Sequence, residues 1–189
     1  MQHVRSHEIT LSDGGVVLRP LTESDWGFLE EINNDPEVLY YAEGDEVASR
    51  SVDEVQAIYR HVSQSAYCFV VESEGAPVGD CWLQELNLDR LRSRFPDLDC
   101  RRIDIQLMRR SWGRGIGTAS LRLLLAFAFE AERADAVFGC DVADYNGRSR
   151  HLFERQGFEI IGANAQGGGS KALTTYDFVR FRSGLTARR

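Results

Sequence analysis

The stretch Ile103-Asp-Ile-Gln-Leu-Met-Arg-Arg-Ser-Trp-Gly-Arg-Gly-Ile-Gly-Thr118 decides how this chain is read. Ile103, Ile105 and Leu107 alternate with polar residues, the period of a half-buried strand. Gly113, Gly115 and Gly117 follow at every second position, and the strongly apolar Ala119–Phe129 predicts a helix directly behind them. A strand handed to a helix through glycines leaves the first-turn N–H groups of that helix unbonded and pointing one way, where the helix dipole also favours an anion. Glycines remove side chains where a phosphate must approach the backbone. The spacing is not the dinucleotide fingerprint, because the two-residue gap before the third glycine is missing. No Gly-Lys-Ser/Thr follows, so it is not the nucleoside-triphosphate loop either. Taken alone, such glycines serve a ligand-free turn equally well.

Working outward, Ala136-Val-Phe-Gly-Cys-Asp-Val142 reads as a buried strand. In Asn146-Gly-Arg-Ser-Arg-His-Leu-Phe-Glu-Arg-Gln-Gly157-Phe158, Asn146 suits an N-cap, Leu152 and Phe153 form an apolar face, and Gly157 suits the residue after the helix. Upstream, a first strand is predicted over about 15–19, then a helix capped by Ser24 or Asp25 through about Asn33, with Pro36 beyond. Acidic Glu43, Asp45 and Glu46 precede a second helix over about 52–63, with Val52, Val55, Ile58, Tyr59 and Val62 at helical spacing. Strands over about 66–73 and 77–86 flank the hairpin signal Glu74-Gly75-Ala76. Residues 87–101 form a charged connector with a helical turn over Leu88–Phe95, and the sheet resumes at 102–108. A glycine run at 167–169 predicts a mobile loop between the last two strands, and the tail after about 184 should fray. The whole reads as one α/β domain over 1–189 with a mainly antiparallel central sheet.

The net charge of −7 argues against a nucleic-acid partner, whose phosphates need a basic face. It mildly suits a cationic acceptor such as an amine. No run of about 18 apolar residues predicts a membrane span, and the N-terminus lacks an apolar signal region, so a cytoplasmic protein is expected. The cysteines at 68, 81, 100 and 140 and the scattered histidines have no metal-ligand or redox spacing, so neither metal nor disulfide is expected.

Arg110-x-x-Gly113-x-Gly115 resembles the pyrophosphate-binding loop of the GNAT superfamily of N-acetyltransferases, which use acetyl-CoA. Asn146 to Phe158 resembles that superfamily's second signature. Val17-Leu-Arg-Pro-Leu-Thr-Glu-Ser-Asp-Trp26, Asn34-Asp-Pro-Glu-Val-Leu39 and Pro77-Val-Gly79 resemble the ribosomal-protein N-terminal acetyltransferase branch. The matches run in the family's order over roughly residues 14–182. The resemblance implies a GNAT-like α/β fold, a mixed, mainly antiparallel sheet of about six or seven strands with helices on both faces. It also implies acetyl-CoA as co-substrate and a primary amine as acceptor, either a protein N-terminus or a small amine such as an aminoglycoside or polyamine. The chain would act as a monomer or homodimer.

Residue by residue, the resemblance assigns the pyrophosphate to N–H groups around Arg110 and from Trp112, Gly113, Arg114, Gly115, Ile116 and Gly117 to Thr118, with added charge from the Arg114 side chain. Backbone groups of Ile105, Gln106 and Leu107 would bind the pantetheine and acetyl group, with the N–H near Leu107 as oxyanion donor. Asn146 would bond the pantetheine arm, with Ser149 and Phe153 beside it in the same signature. An alkyl ammonium titrates near 10, so the acceptor needs a base. Asp104, Glu85 and Asp80 are the candidates. Phe153 stands where many relatives carry a proton-donating Tyr, which leaves Tyr145 as a substitute acid. That departure keeps a second reading open, a non-catalytic acyl-CoA-binding sensor. Trp26, Tyr40, Tyr41, Trp82 and Trp112 are candidate lining aromatics for the acceptor pocket, with core packing the safer role for Trp26 and Trp82.

Overall fold

The computed structural model describes residues 3–42, 48–166 and 172–185. The acidic run at Glu43, Asp45 and Glu46, the glycine run at 167–169 and the tail 187–189 lie outside the described residues. The strands are β1 (Leu11–Asp13), β2 (Val16–Pro20), β3 (Ala66–Ser73), β4 (Ala76–Glu85), β5 (Cys100–Leu107), β6 (Ala136–Ala143), β7 (Glu159–Ala165) and β8 (Thr174–Phe181). They form one mixed sheet in the order β1-β2-β3-β4-β5-β6-β8-β7. The helices are α1 (Trp26–Asn33), α2 (Pro36–Ala42), α3 (Val52–Val62), α4 (Asp89–Arg92), α5 (Ile116–Ala126) and α6 (Gly147–Arg155), with a π-helical turn Phe127–Ala131 behind α5. The fold is the mixed α/β architecture expected from the sequence. Among the described residues the sheet has eight strands rather than six or seven.

The chain divides into two compact units, one made of residues up to Trp82 with Ile105–Leu123, the other of Leu83–Asp104 with the residues from Leu124 on. In the first unit two hairpins set the sheet edge. Gly14-Gly15 (φ 56 and 86) joins β1 to β2, and Glu74-Gly75 (φ 56 and 76) joins β3 to β4. Two central residues with positive φ make the turn whose twist matches paired strands. β1 escapes a sequence reading because it is three residues long with one apolar side chain. It forms because the glycine turn brings Asp13 opposite Val16.

Asp25 stands as N-cap of α1, and its carboxylate accepts the Thr22 N–H at 2.9 Å. Pro36 does not merely follow that helix but opens α2, where a missing N–H costs nothing. Asp35 Oδ1 accepts the N–H groups of Glu37 at 2.9 Å and Val38 at 3.3 Å, which caps the new helix. In α3, Ser51 and Glu54 form a reciprocal capping box, an arrangement worth about 1 kcal/mol. The core of this unit gathers Leu21, Leu29, Val55, Cys68 and Val70 around Tyr59, with Trp26 and Trp82 packed against it. A second small cluster joins Ile32, Val38 and Met108.

In the second unit β5 and β6 run parallel, from Cys100 opposite Ala136 to Ile103 opposite Gly139. The ladder stops there, while β5 continues to Leu107. β8 lies antiparallel between β6 and β7, with a register shift between Gly139 and Val142 and a positive φ of 55 at Asp141. Leu86, Leu91, Ala136, Phe138 and Val179 form the core. The helical turn expected in the connector is α4, and Arg90 fixes it to the sheet. Its Nη2 donates to Asp177 Oδ1 and to Asp141 Oδ1, both at 2.8 Å. Asp177 is 1% exposed and also accepts from Asn164 Nδ2 at 2.9 Å and the Asp141 N–H at 3.1 Å. Burial alone would raise this carboxyl, but the hydrogen bonds from Arg90, Asn164 and Asp141 hold it below the usual range.

Candidate active site

The glycine stretch builds the most distinctive local geometry of the first unit. At the end of β5 the Met108 N–H donates to Val78 O at 2.9 Å, and Arg109–Ser111 makes a single 3-10 turn. Trp112 then folds back, its indole Nε1–H donating to Leu107 O at 2.8 Å, which pins the loop to the strand end. Gly113 and Gly115 take positive φ of 73 and 78. An L-residue in the left-handed region costs roughly 1–2 kcal/mol, so the glycines answer a backbone demand. The first intrahelical bond of α5 runs from the Ala119 N–H to Gly115 O at 3.0 Å. The N–H groups of Ile116, Gly117 and Thr118 therefore stand at the open end of the helix. Buried Ile116 anchors that end, while Gly113, Arg114, Gly115 and Thr118 are exposed. A Cβ added at Gly113 or Gly115 would meet no atom within 4 Å. The loop is thus an open cradle of backbone donors, the shape and polarity that fit a pyrophosphate.

Arginines around the cradle each meet a carboxylate. Arg110 reaches Glu31 at 3.3 Å and Arg114 reaches Glu74 at 2.6 Å, while Arg109 pairs with Glu37 and Arg122 with Asp13. These exposed pairs are weak, so a multiply charged anion can exchange with them. Arg114, Gly115, Ile116 and Arg122 also line a cleft of about 320 Å³ against the two hairpin turns. The Trp112 ring meets Tyr41 edge-on at 5.5 Å, and Tyr41 meets Tyr40 at 5.0 Å. Trp26 and Trp82 are core neighbours of Tyr59.

A buried polar cluster lies under α1 and α3. Asp80 on β4 is 0% exposed. Its Oδ2 accepts from the Tyr59 hydroxyl at 3.0 Å, and its Oδ1 accepts from Gln106 Nε2 at 2.7 Å. The Tyr59 oxygen accepts in turn from Asn33 Nδ2 at 2.8 Å and from Gln106 Nε2 at 3.1 Å. Burial, and then the neighbouring Asp80, push the Tyr59 phenol well above its ordinary value. Asp80, considered as a base from its sequence position, is the centre of this internal network. The sequence signal for it was a carboxylate inside the apolar run Val78–Leu83, facing a tyrosine on the apolar stripe of α3.

In the second unit, Asp104 on β5 pairs with Arg102 at 3.3 Å, and Arg102 also donates to Asn87 Oδ1 at 3.2 Å. The Glu85 side chain is 73% exposed and lies 3.9 Å from Arg101. Asn146 caps α6 as its residue type predicts, Oδ1 accepting the Ser149 N–H at 3.1 Å. Tyr145 sits half-buried in the turn before it. Phe153 is a core residue, stacked on Phe178 at 5.3 Å with Phe158 edge-on at 5.0 Å. Gly139 makes room for it, since a Cβ there would lie 2.4 Å from the Phe153 ring.

All four cysteines are free thiols. Burial pushes those of Cys68 and Cys140 up to about 12 and that of Cys100 to about 11, far from nucleophilic range. Among the described residues, no group of three or more His, Cys, Asp and Glu is placed to hold a metal. No helix among them is long and apolar enough to cross a membrane.

Known proteins share this fold. Residues 16–159 match the family model for the acetyltransferase (GNAT) domain. The fold is similar to spermidine N-acetyltransferase from Vibrio cholerae in complex with CoA and spermine, with 21% identity over 90% of this chain and 98% of that one and a TM-score of 0.75. Mycobacterium smegmatis RimJ in complex with CoA-disulfide is 18% identical over 95% of this chain and 91% of its own, with a TM-score of 0.74. The aminoglycoside acetyltransferase AAC(6')-Ib in complex with coenzyme A is 22% identical over 88% and 95%, with a TM-score of 0.71. With a family match spanning most of its length, this chain belongs to the GNAT acetyltransferase family.

Proposed function

We propose that this protein transfers an acetyl group from acetyl-CoA to a primary amine, in the class of polyamines, aminoglycosides and protein N-termini. The observation that carries the reading is the cradle at Gly113–Thr118, with left-handed glycines, unfilled space over them and three helix-end N–H groups aimed outward. That loop would hold the pyrophosphate, with Arg110 and Arg114 released from Glu31 and Glu74 to add charge. Backbone groups of Ile105, Gln106 and Leu107 would hold the pantetheine and acetyl group beyond the end of the β5–β6 ladder. Asn146, which caps α6 through its Oδ1, is the residue we assign to the pantetheine arm.

Bound acetyl-CoA supplies the thioester carbon that the amine attacks. The chain's own tasks are to deprotonate the ammonium, steady the developing oxyanion and see the thiolate protonated. We assign the first to Asp104, which sits on β5 one residue before the acyl-holding backbone. Glu85 is the weaker candidate because its side chain is largely in water. The N–H near Leu107 is assigned to the oxyanion. The thiolate takes the proton that left the amine, through water or Tyr145, because Phe153 carries no donor.

The buried Phe153 in place of a tyrosine favours one other reading, acyl-CoA binding without turnover. Isothermal titration with acetyl-CoA, with NAD and ATP as controls, tests the shared premise. Stoichiometric, selective binding of acetyl-CoA is expected. No binding would reduce the loop to architecture and remove both readings.

A further inference from the structure

We infer that the side-chain carbonyl of Gln106 is the hydrogen-bond acceptor that holds an N–H of the incoming amine, with Asp80 setting its orientation. The inference rests on the acetyltransferase reading above, which uses only the backbone of Gln106. The argument begins with which way the amide faces. Gln106 Nε2 donates to Asp80 Oδ1 at 2.7 Å and to the Tyr59 oxygen at 3.1 Å. An amide nitrogen has two hydrogens, and both are now committed. The reverse orientation would aim the amide oxygen at a carboxylate, acceptor against acceptor. Tyr59 gives its own proton to Asp80 Oδ2 at 3.0 Å, so its oxygen can only accept from the amide groups of Gln106 and Asn33. The polarity of the cluster is therefore fixed at every link, and Gln106 Oε1 faces away from it.

Among the described residues that oxygen is the one polar atom of the amide without a hydrogen-bond partner. It is absent from the buried polar atoms that lack a hydrogen bond, so it reaches the surface of a half-buried side chain. Its position also fits the task. Gln106 belongs to the segment of β5 assigned to the acyl group, and Asp104, the assigned base, falls on the same face of the strand by its period of two. The cluster ties β4 and β5 to α1 through Asn33 and to α3 through Tyr59. A strong acceptor on the nitrogen side polarises the amide, which strengthens its carbonyl as an acceptor. Asp80 thus acts on the amine through Gln106, as a positioning residue.

The test compares wild type, Gln106→Met and Asp80→Asn. Acetyl-CoA affinity is measured by titration, and kcat and KM by thiol release with spermine, kanamycin and a seryl peptide as acceptors. For Gln106→Met, kcat/KM for the amine should fall about tenfold or more, carried mainly by KM, the size expected for a hydrogen bond to a charged group. Acetyl-CoA affinity should stay unchanged, because the backbone is retained. Asp80→Asn should move the same parameter in the same direction by less, because the amide can then face either way. If Gln106→Met does not fold, the Asp80→Asn split carries the test alone. Unchanged amine kinetics in the folded variants would overturn the inference and leave the acetyltransferase reading standing. So would a parallel loss of acetyl-CoA affinity, which would make Gln106 part of cofactor binding only. A wild-type protein that binds acetyl-CoA but releases no thiol with any of these amines would overturn the reading beneath it.

Discussion

Gly79→Ala should damage both stability and function, through a contact that can be worked out from the backbone. A Cβ at position 79 would lie 2.4 Å from Gln106 O and 2.4 Å from Leu107 Cδ2, with Leu107 Cα at 3.2 Å. The leucine methyl can rotate aside, but the Gln106 carbonyl cannot, since it is main chain. Relief requires β4 and β5 to move apart locally by most of an ångström. Overpacking of this kind costs about 1–3 kcal/mol. The neighbouring bond from the Met108 N–H to Val78 O, now 2.9 Å, would stretch with it, adding about 1 kcal/mol. The expected loss is about 2–4 kcal/mol, measured by urea denaturation against wild type. Gly75→Ala is the control, because its Cβ would meet nothing within 4 Å and only the positive φ of 76 resists it. That variant should lose about 1 kcal/mol. A Gly79→Ala protein within 0.5 kcal/mol of wild type, roughly the noise of surface substitutions, would refute the close approach of the two strands. Because the displaced segment is the one assigned to the acyl group, acetyl-CoA affinity should fall in the same variant.

Other outcomes follow from named contacts. Gly115→Asp and Gly115→Asn both tolerate the left-handed backbone, yet only the aspartate should lower acetyl-CoA affinity by about tenfold or more, through charge repulsion with the pyrophosphate; equal affinities in titration would remove the loop from the binding site. Asp104→Asn should cut the amine-dependent rate at neutral pH while sparing acetyl-CoA affinity, and Glu85→Gln should leave both unchanged; the opposite ranking would move the base to Glu85. The Asp177 carboxyl titrates below its unfolded value of about 4, so its stabilisation is complete above that pH and is lost as the pH falls through the folded value. Urea midpoints of Asp177→Asn should therefore lie below wild type at neutral pH and change less on acidification below about pH 4, and identical acid profiles would count against the Arg90 clamp. Asn146→Ala should cost about 1 kcal/mol as a lost cap, read by thermal unfolding.

Much of the fold was legible because local signals and tertiary packing agree. The stripe Val55, Ile58, Tyr59, Val62 predicts α3, and Asn146 caps α6 as its side chain suggests. The hairpin at Glu74-Gly75 was readable from its turn residues. β1 was not, because its stability comes from a partner strand rather than from its own three residues. α2 was obscured by Pro36, which marks a helix start as readily as a stop.

The candidate site divides in the same way. The cradle is a local backbone device, so its glycines announce it. The Asp80–Tyr59–Gln106–Asn33 cluster joins residues from four different elements, and no spacing in the chain encodes that meeting. Phe153 was singled out by its place in a motif, whereas its surroundings of Gly139, Phe158 and Phe178 make it core.

The most direct test of the central claim is amine-dependent release of CoA from acetyl-CoA by the purified protein, followed by thiol detection with mass analysis of the acceptor. With spermine, kanamycin or an N-terminal peptide as acceptor, thiol release should rise saturably with at least one, with one acetyl group appearing on that amine for each thiol released. Tight binding of acetyl-CoA with no acceptor-dependent thiol would contradict the catalytic account and leave a CoA-binding module in its place.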